Sequence, residues 1–182
     1  MFLSRSRQLG VLGLLLGVLA VVPSSLATQD RTELRKFLTP DGRLQAPLVF
    51  RDGQQGFAGV SGEVWTIGPH GHFTIARFLN EKIDAPYWEH DLSPDQLKGI
   101  ARVMAANNFC ELPESFGVDS KVNAHLLTLS FGKKESTLAL KPGEAVGTET
   151  IPSANNPQSL AWRNFVAIVL AIQELAKNLK PA

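Results

Sequence analysis

Residues 91–113 read DLSPDQLKGIARVMAANNFCELP, and this stretch predicts one amphipathic helix with both ends marked. Ser93 is a preferred N-cap residue, and Pro94 follows at the first helical position, where its missing N–H is harmless. Gln96 stands three residues after Ser93, the spacing of a capping box, and Leu92 and Leu97 hold the two positions of a hydrophobic staple. Asp95 complements the positive end of the helix dipole. Leu97, Ile100, Ala101 and Met104 then recur at i, i+3, i+4 and i+7, which builds one buried face. Asn107 and Asn108 suit a C-terminus, and Pro113 forbids continuation.

On either side of this helix the pattern changes to strands. Before it, Pro47–Arg51 predicts a short first strand, followed by a glycine-rich loop over Asp52–Gly59. Val60–Ile67 and His72–Phe78 predict an antiparallel hairpin turned by Gly68-Pro69-His70-Gly71. Leu79–His90 reads as irregular and holds the aromatic pair Tyr87-Trp88. Beyond the helix, Val122–Phe131 and Ser136–Lys141 predict a second hairpin, then a polar loop follows over Pro142–Asn156. Asn156 and Pro157 open a last helix, on which Phe165, Ile168, Val169, Ile172 and Leu175 form a stripe for deep burial against a sheet. The expected architecture is α+β: an antiparallel sheet of about five strands with two helices packed on one face, in the order β-β-β-α-β-β-α.

The first 27 residues predict an export signal. Arg5 and Arg7 supply a basic start, Leu9–Val22 an apolar stretch shorter than the ~20 residues of a membrane span, and Ser25-Leu26-Ala27 a cleavage site. Residues 28–46 read as a spacer and 47–182 as one domain, with no stable membrane span once the signal is removed. The predicted destination is outside the cytoplasm, secreted or periplasmic. Cleavage takes away two arginines and no acidic residue, so a net charge of +1 becomes −1. A near-neutral domain argues against nucleic acid or an anionic membrane as partner. Cys110 is the single cysteine, so no intrachain disulfide forms, and its position beside Phe109 predicts a buried small hydrophobe.

Chemistry-bearing motifs are sparse. His70-Gly71-His72 flanks a turn glycine without the spaced partners of a zinc pattern, and His90 and His125 meet them only if the fold brings them together. No G-x-S-x-G elbow is present, and Gly53, Gly56 and Gly59 precede a strand where a dinucleotide fingerprint needs a helix. The residues therefore predict no catalytic set, no metal site and no cofactor. The glycine-rich loop is the strongest candidate for contact with a partner: its glycines admit close approach of another surface, and Phe57 stands among them.

Four stretches resemble the emfourin family, proteinaceous inhibitors of thermolysin-type metalloproteases. They are LVFRDGQQGFAG (48–59), GEVWTIGPHGHFTIARF (62–78), LSPDQLKGIARVMAANNFCELP (92–113) and LLTLSFGKKESTLAL (126–140). The likeness spans Pro47 to Leu140, and its most specific parts are GFAG and the helix exit carrying Phe109, Leu112 and Pro113. Where relatives have Asp-Gly at the first hairpin turn, this chain has His70-Gly71, which fits His70 for a turn and not for a metal. The resemblance implies an exported non-enzyme that binds a protein partner, a thermolysin-type metalloprotease, and it assigns no inhibitory residue. The expected contact residues are Gly56, Phe57, Ala58 and Gly59, with Tyr87 and Trp88 as aromatic anchors. The competing expectations are a metal-dependent or hydrolytic enzyme using the histidines, and a structural component of the cell envelope.

Overall fold

A computed structural model describes residues 32–119, 123–147, 156 and 158–179. The expected signal segment, residue 157 and most of the polar loop before the last helix lie outside the described residues.

The chain runs β1 (Leu48–Gly56), β2 (Gly59–Ile67), β3 (His72–Leu79), β4 (Lys82–Ile83), β5 (Trp88–Asp91), α1 (Pro94–Ala106), a single 3-10 turn (Phe109–Glu111), β6 (Ser115–Gly117), β7 (His125–Phe131), β8 (Lys134–Leu140) and α2 (Ser159–Leu179). All eight strands join one sheet in the order β4-β3-β2-β1-β7-β8-β6, with β5 also paired to β3.

This overturns the expected five-strand antiparallel sheet with two helices, and its order; residues 32–34, ahead of β1, are helical as well. The sheet is mixed, because β6 runs parallel to β8 while the other pairs are antiparallel. The three additional strands are only two to four residues long, too short to display an alternating pattern. They exist because a longer neighbour offers a free edge of N–H and C=O groups. Two polar contacts set the path into β6: Lys134 Nζ donates to the Leu112 carbonyl, and the buried Ser136 hydroxyl donates to the Pro113 carbonyl at 2.6 Å. Gly117 then lies at φ +107°, where a Cβ would meet the Ala139 carbonyl oxygen at 2.2 Å, so only glycine lets the two backbones approach this closely.

Helix α1 forms as its caps dictate. The Gln96 N–H donates to the Ser93 hydroxyl at 3.3 Å, and the Ser93 N–H donates to Gln96 Oε1 at 2.8 Å. Its buried residues are Leu97, Ile100, Ala101 and Met104. Helix α2 is long and apolar enough to cross a membrane by length and composition, and it buries Trp162, Phe165, Ile168, Val169 and Ile172 in the same core that α1 enters. From the sheet that core takes Leu48, Phe50, Ile67, Phe73, Ile75, Leu127, Leu129 and Leu138. Val64, Ala76 and Phe78 form a smaller cluster with Val49 and Val60; they alternate with the core residues along their strands and so line the opposite face.

The segment read as a spacer packs against this body. Leu34, Phe37 and Leu44 are buried in the main core, Leu38 and Leu44 form a backbone bridge, and the Phe37 ring meets Phe109 and Phe131 edge-on. Cys110 departs from expectation: it is exposed, because the 3-10 turn sends Phe109 inward and the next side chain out.

Candidate functional site

The glycine-rich stretch is not a loop. Gly53 through Gly56 stay in register with Gly62 through Gly59, so β1 and β2 pair to their tips and only Phe57 and Ala58 make the turn. Neighbouring strands stop earlier. Pairing of β1 with β7 ends at Gln54 opposite His125, and pairing of β2 with β3 ends at Ser61 opposite Leu79. The end of the hairpin therefore projects past the sheet, and Phe57 at its tip is fully exposed.

Asn80 holds this projection at its root. Its side-chain oxygen accepts from the Val60 N–H at 3.0 Å, its amide donates to the Ala58 carbonyl at 3.2 Å, and its backbone N–H donates to the Val60 carbonyl at 2.6 Å. Asn80 has φ +56°, the left-handed region that asparagine tolerates better than most residues. Gly59 sits against this side chain at φ +113°; a Cβ there would fall 1.9 Å from Asn80 Oδ1. Two more apolar side chains on flanking strands, Leu79 and Ile83, are about half exposed at the same end of the sheet. Sequence reasoning missed Asn80. The signal available was an asparagine between Leu79 and Glu81, directly after an alternating strand, where turn chemistry is expected.

Tyr87 and Trp88 lie elsewhere. Trp88 pairs opposite Ile75, four residues before Leu79 on β3, which is about 13 Å of strand short of the level where the hairpin begins to project. Trp88 is half-buried, meets Phe73 edge-on at 5.2 Å and stacks on His90 at 6.1 Å. Tyr87 is half exposed, and its hydroxyl donates to Glu63 Oε1 while Trp65 Nε1–H donates to Glu63 Oε2 at 3.2 Å. Partial burial, reinforced by the Glu63 carboxylate, pushes the Tyr87 phenol up to about 12. Of the six expected contact residues, the fold thus groups Gly56, Phe57, Ala58 and Gly59 at one projection and sets Tyr87 and Trp88 apart from it.

The histidines take separate partners. His72 pairs with Asp91 at 3.0 Å and Glu89 at 3.6 Å on the surface, His90 lies on Trp88, and His70 is exposed in its turn. His125 is the most enclosed of the four. Its Nε2 lies 2.6 Å from Asp52 Oδ1, and its Nδ1 faces the Glu144 carbonyl oxygen. Hydrogen bonding to Asp52 raises the His125 pKa above its ordinary value against the opposing effect of burial. Among the described residues no three His, Cys, Asp or Glu side chains are grouped to hold a metal ion.

Comparison with family models and with curated protein sequences finds no match.

Proposed function

We propose that this domain is a non-catalytic protein-binding module, working outside the cytoplasm, that inserts the tip of the β1–β2 hairpin into a concave surface of its partner. Full exposure of Phe57 on a two-residue turn braced by Asn80 carries the reading. A phenylalanine left in water forgoes about 2 kcal/mol of burial. Placed on a braced tip, it offers that burial to a partner with little loss of backbone freedom on binding. Leu79 and Ile83 supply apolar flanks for the rim of such a contact.

The partner class we favour is a thermolysin-type metalloprotease, on the strength of the emfourin-like stretches. A paired, braced hairpin suits inhibition, because backbone hydrogen bonds across the β1–β2 ladder oppose the detachment of the strand that cleavage requires. The test is a titration of a thermolysin-type protease with the purified protein and with Phe57→Ala. The expected result is dose-dependent inhibition that weakens at least about tenfold in the variant, as for a hot-spot aromatic. Full protease activity at saturating protein, with the hairpin cut between Gly56 and Gly59, defeats this assignment.

A further inference from the structure

The Asp52–His125–Glu144 cluster joins three separate parts of the chain: β1, β7 and the segment 141–147 that leaves β8. Both ring nitrogens of His125 face oxygen acceptors, a carboxylate at 2.6 Å and a carbonyl. A carbonyl oxygen has no proton to give, and a neutral imidazole has only one N–H. Satisfying both contacts with Asp52 ionised therefore takes the doubly protonated ring. The His125 side chain is only 13% exposed, so water does not readily replace a contact that is lost.

We propose that His125 is a proton-operated clasp: as the imidazolium it ties the turn at 141–144 to the root of the β1–β2 hairpin, and loss of its proton loosens that turn. The asymmetry of the two bonds decides which one breaks. The bond to the Asp52 carboxylate is charge-assisted and the stronger of the two. A neutral ring therefore keeps its proton on Nε2 and turns a lone pair toward the Glu144 carbonyl. The loosened turn keeps contacts of its own, Lys141 N–H to Glu144 Oε2 at 3.1 Å and Glu144 N–H to the Lys141 carbonyl at 3.1 Å, while Val146 beyond it packs against the main core and anchors the chain there.

Among the described residues, Asp52 is the charged side chain bonded to the ring; Glu63 lies opposite Asp52 on β2, and the Glu144 carboxylate is engaged by the Lys141 N–H. The residues opposite His125 on its two neighbouring strands, Gln54 and Leu140, are uncharged. Arg51 is directed to the other face, over the Phe78 ring at 4.5 Å. The upward displacement of the His125 pKa agrees with this geometry. Because the folded value is raised, the clasp is fully closed below the free-histidine value of 6.5 and opens as pH rises through the folded value.

The test follows the His125 ring by NMR together with amide hydrogen exchange of Lys141 and Glu144, on the intact protein, between about pH 5 and pH 9. After correction for intrinsic base catalysis, protection of these two amides should fall about tenfold across the His125 titration, while β7 amides stay level. In His125→Gln the step should vanish. In Asp52→Asn both the His125 titration and the step should move together to lower pH. Should His125→Gln fail to fold, Asp52→Asn alone decides. Protection that stays constant through the His125 titration, or a step that persists in His125→Gln or does not move in Asp52→Asn, overturns the clasp.

Discussion

Asn80→Ala removes the brace of the hairpin without substituting either residue of its turn. The substitution deletes the acceptor for the Val60 N–H and the donor to the Ala58 carbonyl. Both bonds are solvent-accessible, so each contributes about 0.5 kcal/mol, the low end for a hydrogen bond. The backbone at residue 80 sits at φ +56°, and alanine there costs about 1 kcal/mol more than a residue that visits this region routinely. Together these amount to about 2 kcal/mol, equivalent to about 30-fold in the local opening equilibrium. Native-state hydrogen exchange of the Val60 amide reads that equilibrium directly, because this N–H donates to the missing oxygen. Asn80→Gly separates the two contributions: it relieves the backbone and keeps only the hydrogen-bond loss, so exchange should accelerate about fivefold. Asn80→Asp retains the acceptor and should lie nearer the native protein. Inhibition or partner binding should weaken in the same rank order, since a loosened tip must be ordered again on docking. If Val60 exchange is unchanged in Asn80→Ala, the side chain does not brace the hairpin, and the case for a preorganised tip falls with it.

Phe57→Ala should leave stability within about 0.5 kcal/mol of the native protein in urea denaturation, since a fully exposed side chain has no packing to lose; a larger loss would mean that the ring supports the fold. Gly117→Ala should lower stability by at least about 2 kcal/mol, seen as a fall of about 4–8 °C in the calorimetric Tm, because the new Cβ meets a backbone oxygen at 2.2 Å and φ stays positive. Ser93→Ala should destabilise by about 1 kcal/mol through loss of the cap on α1. At alkaline pH the folded Tyr87 phenol resists ionisation up to about 12 while the unfolded one ionises near 10. Unfolding is therefore increasingly favoured across that interval, and Tyr87→Phe should flatten the pH slope of stability there.

What could be read from the chain was whatever acts over a few residues. The cap, box and buried face of α1 are set by side chains within about one turn of one another, and Ser93, Gln96 and Leu97 stand in the structure as their spacing requires. Elements that exist only through a partner left no such trace. β4, β5 and β6 are held by backbone pairing to β3 and β8, to which residues such as Lys82 and Ser115 give no periodic signal. Phe37 and Leu44, scattered in a polar stretch, become core only because Phe109 and Phe131 arrive from far along the chain.

The glycines of β1 show the same limit in sharper form. Gly53 and Gly56 read as loop residues because glycine is depleted in strands. The structure instead uses Gly53 within the ladder as a site of close approach: a Cβ there would meet Phe78 and Val60 at 2.8 Å. Phe78 and Val60 fill the space that a side chain at 53 would occupy, and Arg51 packs over the Phe78 ring. The missing side chain is thus a consequence of what crosses the open face of the sheet, which no local pattern records. The pairing of Asp52 with His125 lies beyond local reading for the same reason, since 73 residues separate two groups that adjacent strands bring within 2.6 Å. The residues proposed here to act, Phe57 through its exposure and His125 through its enclosure, owe their roles to β1: one stands at its free end, and the other closes on its flank where pairing with β7 stops.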